Sequence, residues 1–163
     1  MNIRDILFRG KSLKGEWLHG WYTKATMGAW PLRDCIVPVT DAEDGYRHEE
    51  EVLEDTVGQY TGLDDKNGTK IFEGDITRLV LPDGEVRHFE VFIGTVLRDI
   101  VVKPLPGYEG TSVPVRITGV FFDWNDDPLL PCVDDNSISD VARMEVIGNI
   151  YDNPELLEVN HYA

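Results

Sequence analysis

Two turn signals set into runs of β-branched and aromatic residues constrain this chain more than any other feature. The first is Asp64-Asp65-Lys66-Asn67-Gly68, where Asn-Gly readily takes up the positive φ angles of hairpin turns. The second is Pro82-Asp83-Gly84-Glu85. Ahead of the first turn, Val57, Gln59 and Thr61 alternate with Gly58, Tyr60 and Gly62, which predicts a strand. Behind it, Lys70 to Ile76 resumes the extended pattern, followed by Arg78 to Leu81. Residues 86–103 form a long β-branched stretch with Gly94 as a bulge or bend, and residues 113–124 form another strand beyond a loop at Pro104–Gly110. Near the start, Gly15 to Tyr22 is aromatic-rich and suits a strand or hairpin arm. Helix is scarce. Asn136-Ser137 predicts a cap for a short helix from Ile138 to Arg143, and Asn153-Pro154-Glu155 opens a helical turn with Pro at its first position. The expected fold is all-β with one or two short helices, a partly open barrel or sandwich.

A chain of 163 residues predicts one domain, residues 1–163, in which an N-terminal β subdomain of about 1–60 shares a core with the remainder. Its 30 acidic and 15 basic side chains give a net charge of -15. That balance disfavours general DNA or RNA binding, which needs clustered Lys and Arg, and adsorption to anionic membranes. The charge is segregated. Residues 1–33 carry six basic and two acidic side chains, residues 41–55 eight acidic and one basic, and residues 123–140 six Asp and no base. Both acidic stretches read as solvated loop or helix surface; the alternative is that the net-basic start pairs with them, within one chain or between subunits.

Arg4, Asp5, Arg9 and Lys11 break any apolar run in the first twenty residues, and the longest apolar stretches are strand-sized. Cys35 and Cys132 are the only cysteines. They are expected to be buried thiols in a reducing cytoplasm. Asn67-Gly68-Thr69 matches a glycosylation sequon and reads as a turn.

The phosphate-binding patterns GxxxxGK[ST] and GxGxxG and the GxSxG elbow are absent. His48-Glu49 is followed by Val52 where HExxH needs its second histidine, and His19, His48, His88 and His161 are scattered singly. Asp123, Asn125 and Asp127, with Asp134 further on, imitate a calcium loop. Pro128 replaces the glycine of the sharp turn and Asp134 is too short for the bidentate Glu, so an acidic loop is expected. Glu73 and Asp75 flank Gly74, and in one strand they would share a face, close enough to raise one carboxyl pKa. That is the local pattern of an acid/base pair and also of a solvated strand edge. Trp17, Trp21, Tyr22, Trp30 and Tyr60 offer a stacking surface, a core or a subunit contact. No catalytic residue, metal ligand or cofactor is expected, and no binding residue is assigned.

Several blocks together resemble the YopX family of bacteriophage and prophage proteins. They are Phe8-Arg9-Gly10-Lys11, Gly15-Glu16-Trp17-Leu18-His19-Gly20, Thr56 to Gly68, Ile71-Phe72-Glu73-Gly74-Asp75-Ile76 and Glu145 to Leu157. The resemblance implies a mainly β, partly open barrel and self-association; it brings no activity with it. Within the blocks, Gly58, Gly62, Gly68, Gly74 and Gly148 read as backbone-permissive turn positions, and Ile71, Ile76 and Ile150 as core.

The expected function is that of a cytoplasmic phage or prophage accessory protein, a non-enzymatic oligomer that binds a host or phage protein. One alternative is an acidic mimic of nucleic acid that occupies a host DNA- or RNA-binding protein. Another is a small hydrolase built on Glu73 and Asp75.

Overall fold

A computed structural model of the chain describes residues 6–26, 31–39, 48–101 and 112–158. Trp30, His161, residues 41–47 of the first acidic stretch and the Pro104–Gly110 segment lie outside those residues.

The chain completes one antiparallel sheet before starting the next. The first contains β1 (Phe8–Lys11), β2 (Trp17–Ala25), β3 (Arg33–Pro38), β4 (Glu50–Glu51), β5 (Gly58–Asp64) and β6 (Lys70–Phe72), in the order β4-β3-β2-β1-β5-β6. The second contains β7 (Asp75–Val80), β8 (Val86–Val101), β9 (Ser112–Trp124), β10 (Asp127–Leu129) and β11 (Glu145–Asn149), in the order β10-β9-β8-β7-β11. The only α-helix among the described residues is α1 (Glu155–Glu158). Neither sheet closes into a barrel, and the fold is an all-β sandwich.

Both turn signals form turns. Asp65 accounts for the first: one carboxylate oxygen accepts the Asn67 and Thr69 amides at 2.8 and 2.9 Å, and the other accepts the Val146 amide at 3.0 Å. One buried side chain therefore shapes the β5–β6 hairpin and fastens it to β11. Burial pulls its pKa upward, but the three amides outweigh that and hold it below the usual carboxylate range.

The core lies where this hairpin meets the second sheet. Ile71 of β6 packs with Leu79, Phe89, Val91 and Phe122 of the sheet and with Val141 and Met144 of the chain between β10 and β11. Each such side chain contributes about 1.5–3 kcal/mol by leaving water.

Four local expectations are corrected. Lys70 to Ile76 is not one extended run, because Glu73-Gly74 turns the chain between β6 and β7 and Gly74 has a φ of 76°. Gly94 is not a bulge, since it pairs directly with Gly119 in an unbroken β8–β9 register; a register shift occurs instead between Val146 and Gly148. The short helix near Ile138 is a 3-10 turn at Asp140–Arg143, capped by Ser139 through the Val141 amide. Asn136 and Ser137 belong to the preceding turn, where Asp134 accepts the Asn136 and Ile138 amides, both at 2.9 Å. Finally, Cys35 is buried but Cys132 is exposed.

β8 and β9 outrun their neighbours. β7 pairs with β8 only from Val86 to Glu90, and β10 pairs with β9 only from Phe122 to Trp124. Among the described residues no further strand flanks the rungs from Phe92–Phe121 to Val101–Ser112, and beyond Ile93, whose amide donates to Glu73, they form a two-stranded arm with open edges.

Candidate functional site

The family-like blocks meet at the junction between the sheets. Arg9 of β1 extends its guanidinium to the Asp75 carboxylate at the start of β7, and donates from Nη2 to the Glu73 carbonyl at 2.9 Å. The other Asp75 oxygen accepts the Phe72 amide at 2.7 Å. The two side chains are only 8% and 2% exposed, so this ion pair is formed away from water. Arg9 Nε has no hydrogen-bond partner. Arg9 Cζ lies over the Trp17 and Phe72 rings, 4.8 and 5.4 Å from their centroids, in cation–π contact with both.

Glu73 does not share a strand face with Asp75, contrary to the extended reading. The turn at Gly74 separates their roles. Glu73 accepts the Gln59 amide of β5 at 3.1 Å and the Ile93 amide of β8 at 3.2 Å, so it bridges the two sheets. Burial pulls the Asp75 pKa upward more than Arg9 and the Phe72 amide pull it down. Both carboxylates are occupied by fixed donors, which makes the pair a clamp.

A second layer closes the junction from outside. Asp152 accepts the Trp17 Nε1–H at 2.7 Å and the Asn149 side-chain amide at 3.1 Å, and it forms an ion pair with Lys11. Those donors, Lys11 foremost, hold its carboxyl well below the usual range. Tyr151 packs on Trp17 with ring centroids 5.8 Å apart. Sequence reasoning missed Arg9, Tyr151 and Asp152 as members of this cluster. Their signal lay in the blocks themselves, where conspicuous residues recur at both ends of the chain.

The other candidates do not assemble. Tyr60 is buried against Phe72, Tyr22 packs on Phe8 and bonds to Asp34, and Trp21 is exposed on the opposite face of β2 from Tyr22. Among the described residues these aromatics form no common stacking surface. His19 sits edge-on to Phe72, with its pKa lowered by burial and by Arg9. His88 contacts the Leu156 carbonyl. Asn125 and Asp126, with φ of 54° and 62°, make a tight turn between β9 and β10, and Asp134 pairs with Arg143. Among the described residues no three His, Cys, Asp or Glu side chains gather as a metal site.

The basic start does pair within the chain. Arg33 bonds Glu51, and Lys24 lies 3.3 Å from Asp34 and 3.9 Å from Glu54. The second acidic stretch is met by Arg98 at Asp127 and by Arg143 at Asp134.

One carboxylate pair has no such cation among the described residues. Glu90 stands directly across from Asp123 in the β8–β9 register. Burial and then the Asp123 charge raise the Glu90 pKa, and burial also raises that of Asp123. The folded state therefore holds these protons more tightly than the unfolded state, and stability falls as pH rises through the carboxylate range. Glu90→Gln is expected to raise the urea midpoint at about pH 7, with the gain disappearing at about pH 4. A gain equal at both pH values would refute this assignment.

No helix among the described residues is long and apolar enough to cross a membrane. The family described as YopX protein matches residues 31–158. No curated protein matches the chain. Among solved structures, protein EF1440 from Enterococcus faecalis is similar at 23% identity, covering 95% of this chain and 99% of that one, with a TM-score of 0.47.

Proposed function

The chain belongs to the YopX family, and from that premise we propose that it is a non-enzymatic phage or prophage accessory protein that self-assembles through its β8–β9 arm and binds a protein partner. The observation that carries this reading is the arm. Isolated two-stranded ribbons are marginal in water, and open edges invite a further strand. Among the described residues, the rungs from Thr95–Thr118 to Val101–Ser112 have open edges on both sides. One face alternates Val96, Ile117, Val115, Ile100 and Val113, while Leu97 and Val101 on the other face are 68% and 81% exposed. A second copy offers the same edge, so a two-fold interface is self-complementary. The engagement of Glu73 and Asp75 by backbone amides and Arg9 favours this reading over a hydrolase built on that pair.

Light scattering on the purified protein tests it. The expected mass is at least twice the 18.5 kDa of one chain, and Leu97→Glu with Val101→Glu is expected to return it to a monomer. Because each copy carries a net charge of -15, added salt is expected to strengthen the assembly by screening repulsion. An acidic mimic would instead lose its basic host target as salt rises. A monomeric wild-type protein, or a variant with unchanged mass, rules out assembly through the arm.

A further inference from the structure

Beside the core of the second sheet is a cavity of about 410 Å³, of a size suited to a small ligand. Its floor is Leu79, Phe89, Phe122 and Met144, and the chain leaving β10, from Leu129 to Cys132, forms a wall. The charged side chains lining it are Arg87, Arg98 and Asp140. Asp140 lies 3.8 Å from Arg143, and the carboxylates that pair with the two arginines, Glu85 and Asp127, are not among the lining residues, so the arginines supply the positive charge of the lining.

Both arginines are held ready. Arg87 lies 4.2 Å over the Trp124 ring and donates through Nε and Nη2 to Glu85. Arg98 reaches from the arm to Asp127 at 2.8 Å and to the Pro128 carbonyl, donating through Nη2. Nη1 of each arginine enters none of these bonds. The partner carboxylates of Glu85 and Asp127 are 38% and 54% exposed. Pairs of that kind contribute little and exchange readily, whereas a ligand anion placed at an apolar mouth gains a charge-assisted bond in a drier setting.

We propose that this cavity binds a medium-chain anionic amphiphile, its unbranched apolar chain on the Phe89–Phe122 floor and its carboxylate at Arg87 and Arg98. Arg98 stands on the arm that the assembly reading uses, but Arg87 lies in the β7-paired part of β8, so Arg87→Gln tests the cavity apart from assembly and either reading can fail without the other.

Cys132 provides the readout. It is exposed on the cavity wall, while Cys35 is 2% exposed and its thiol is pushed up by burial, so iodoacetamide reports on Cys132 alone. Decanoate, decanol and decyltrimethylammonium are compared at equal concentrations below micelle formation. Decanoate is expected to slow Cys132 alkylation most, and Arg98→Gln to weaken decanoate about tenfold while leaving decanol unchanged. Arg87→Gln replaces that variant if it fails to fold. Calorimetry on the wild-type protein with decanoate is expected to show a negative heat-capacity change. No protection by decanoate, or equal protection by all three amphiphiles, overturns the proposal.

Discussion

Asp75→Ala is expected to destabilise the protein by about 3–5 kcal/mol, because it leaves the buried Arg9 guanidinium without its counter-charge. Asp75 and Arg9 side chains are 2% and 8% exposed, so water cannot substitute for the missing carboxylate. The same change orphans the Phe72 amide that Asp75 accepts at the turn between the sheets. In thermal denaturation the loss should appear as a fall in Tm of about 10 °C for a domain of this size. Removing both charges together, as Arg9→Met with Asp75→Leu, should recover most of the loss, since an apolar pair costs no desolvation of ions. A single variant within about 1 kcal/mol of wild type would show that the clamp does not hold the sheets together. If Asp75 were instead a catalytic acid, its replacement would spare stability and abolish a reaction.

Gly20→Ala is expected to cost about 3 kcal/mol through a different mechanism, overpacking against backbone. Gly20 pairs with Phe8 on one side and Pro38 on the other, in the middle of the first sheet. A Cβ there would lie 1.9 Å from the Val37 carbonyl oxygen and 2.9 Å from Pro38 Cα. A rotamer change cannot relieve a clash with main chain, so β2 and β3 must move apart. Faster amide exchange along β3 and a lower urea midpoint would register this. Gly119→Ala is the matched comparison, with nothing within 4 Å of its Cβ. It should be neutral or slightly stabilising, because alanine loses less backbone freedom on folding. Equal losses at the two positions would contradict the close approach at Val37.

The sequence was most legible where chemistry acts over a few residues. Asn67-Gly68 and Pro82-Asp83-Gly84 require turns, and the β-branched run after Val86 requires a long strand. It was least legible where an outcome depends on distant partners. Glu73 and Asp75 looked alike two positions apart, yet one bridges β5 and β8 while the other pairs with Arg9. Cys132 looked like Cys35, but its segment forms a cavity wall while Cys35 lies in the first sheet next to β4. Charge showed the same division. Segregation was plain in the sequence, but Arg33–Glu51 was fixed by β3 and β4 becoming neighbours, and Arg98–Asp127 by β8 and β10 lying on either side of β9.

By itself, then, the sequence determined an all-β chain, its principal turns and its family, because turn geometry and strand preference are local properties of the backbone. The tertiary structure alone decided that Arg9, Trp17, Glu73, Asp75, Tyr151 and Asp152 form one clamp, and that β8 and β9 extend past their neighbours as an open-edged arm. Burial of a charge and exposure of a strand edge are set by what packs alongside, and that neighbour is supplied by residues far away in the chain.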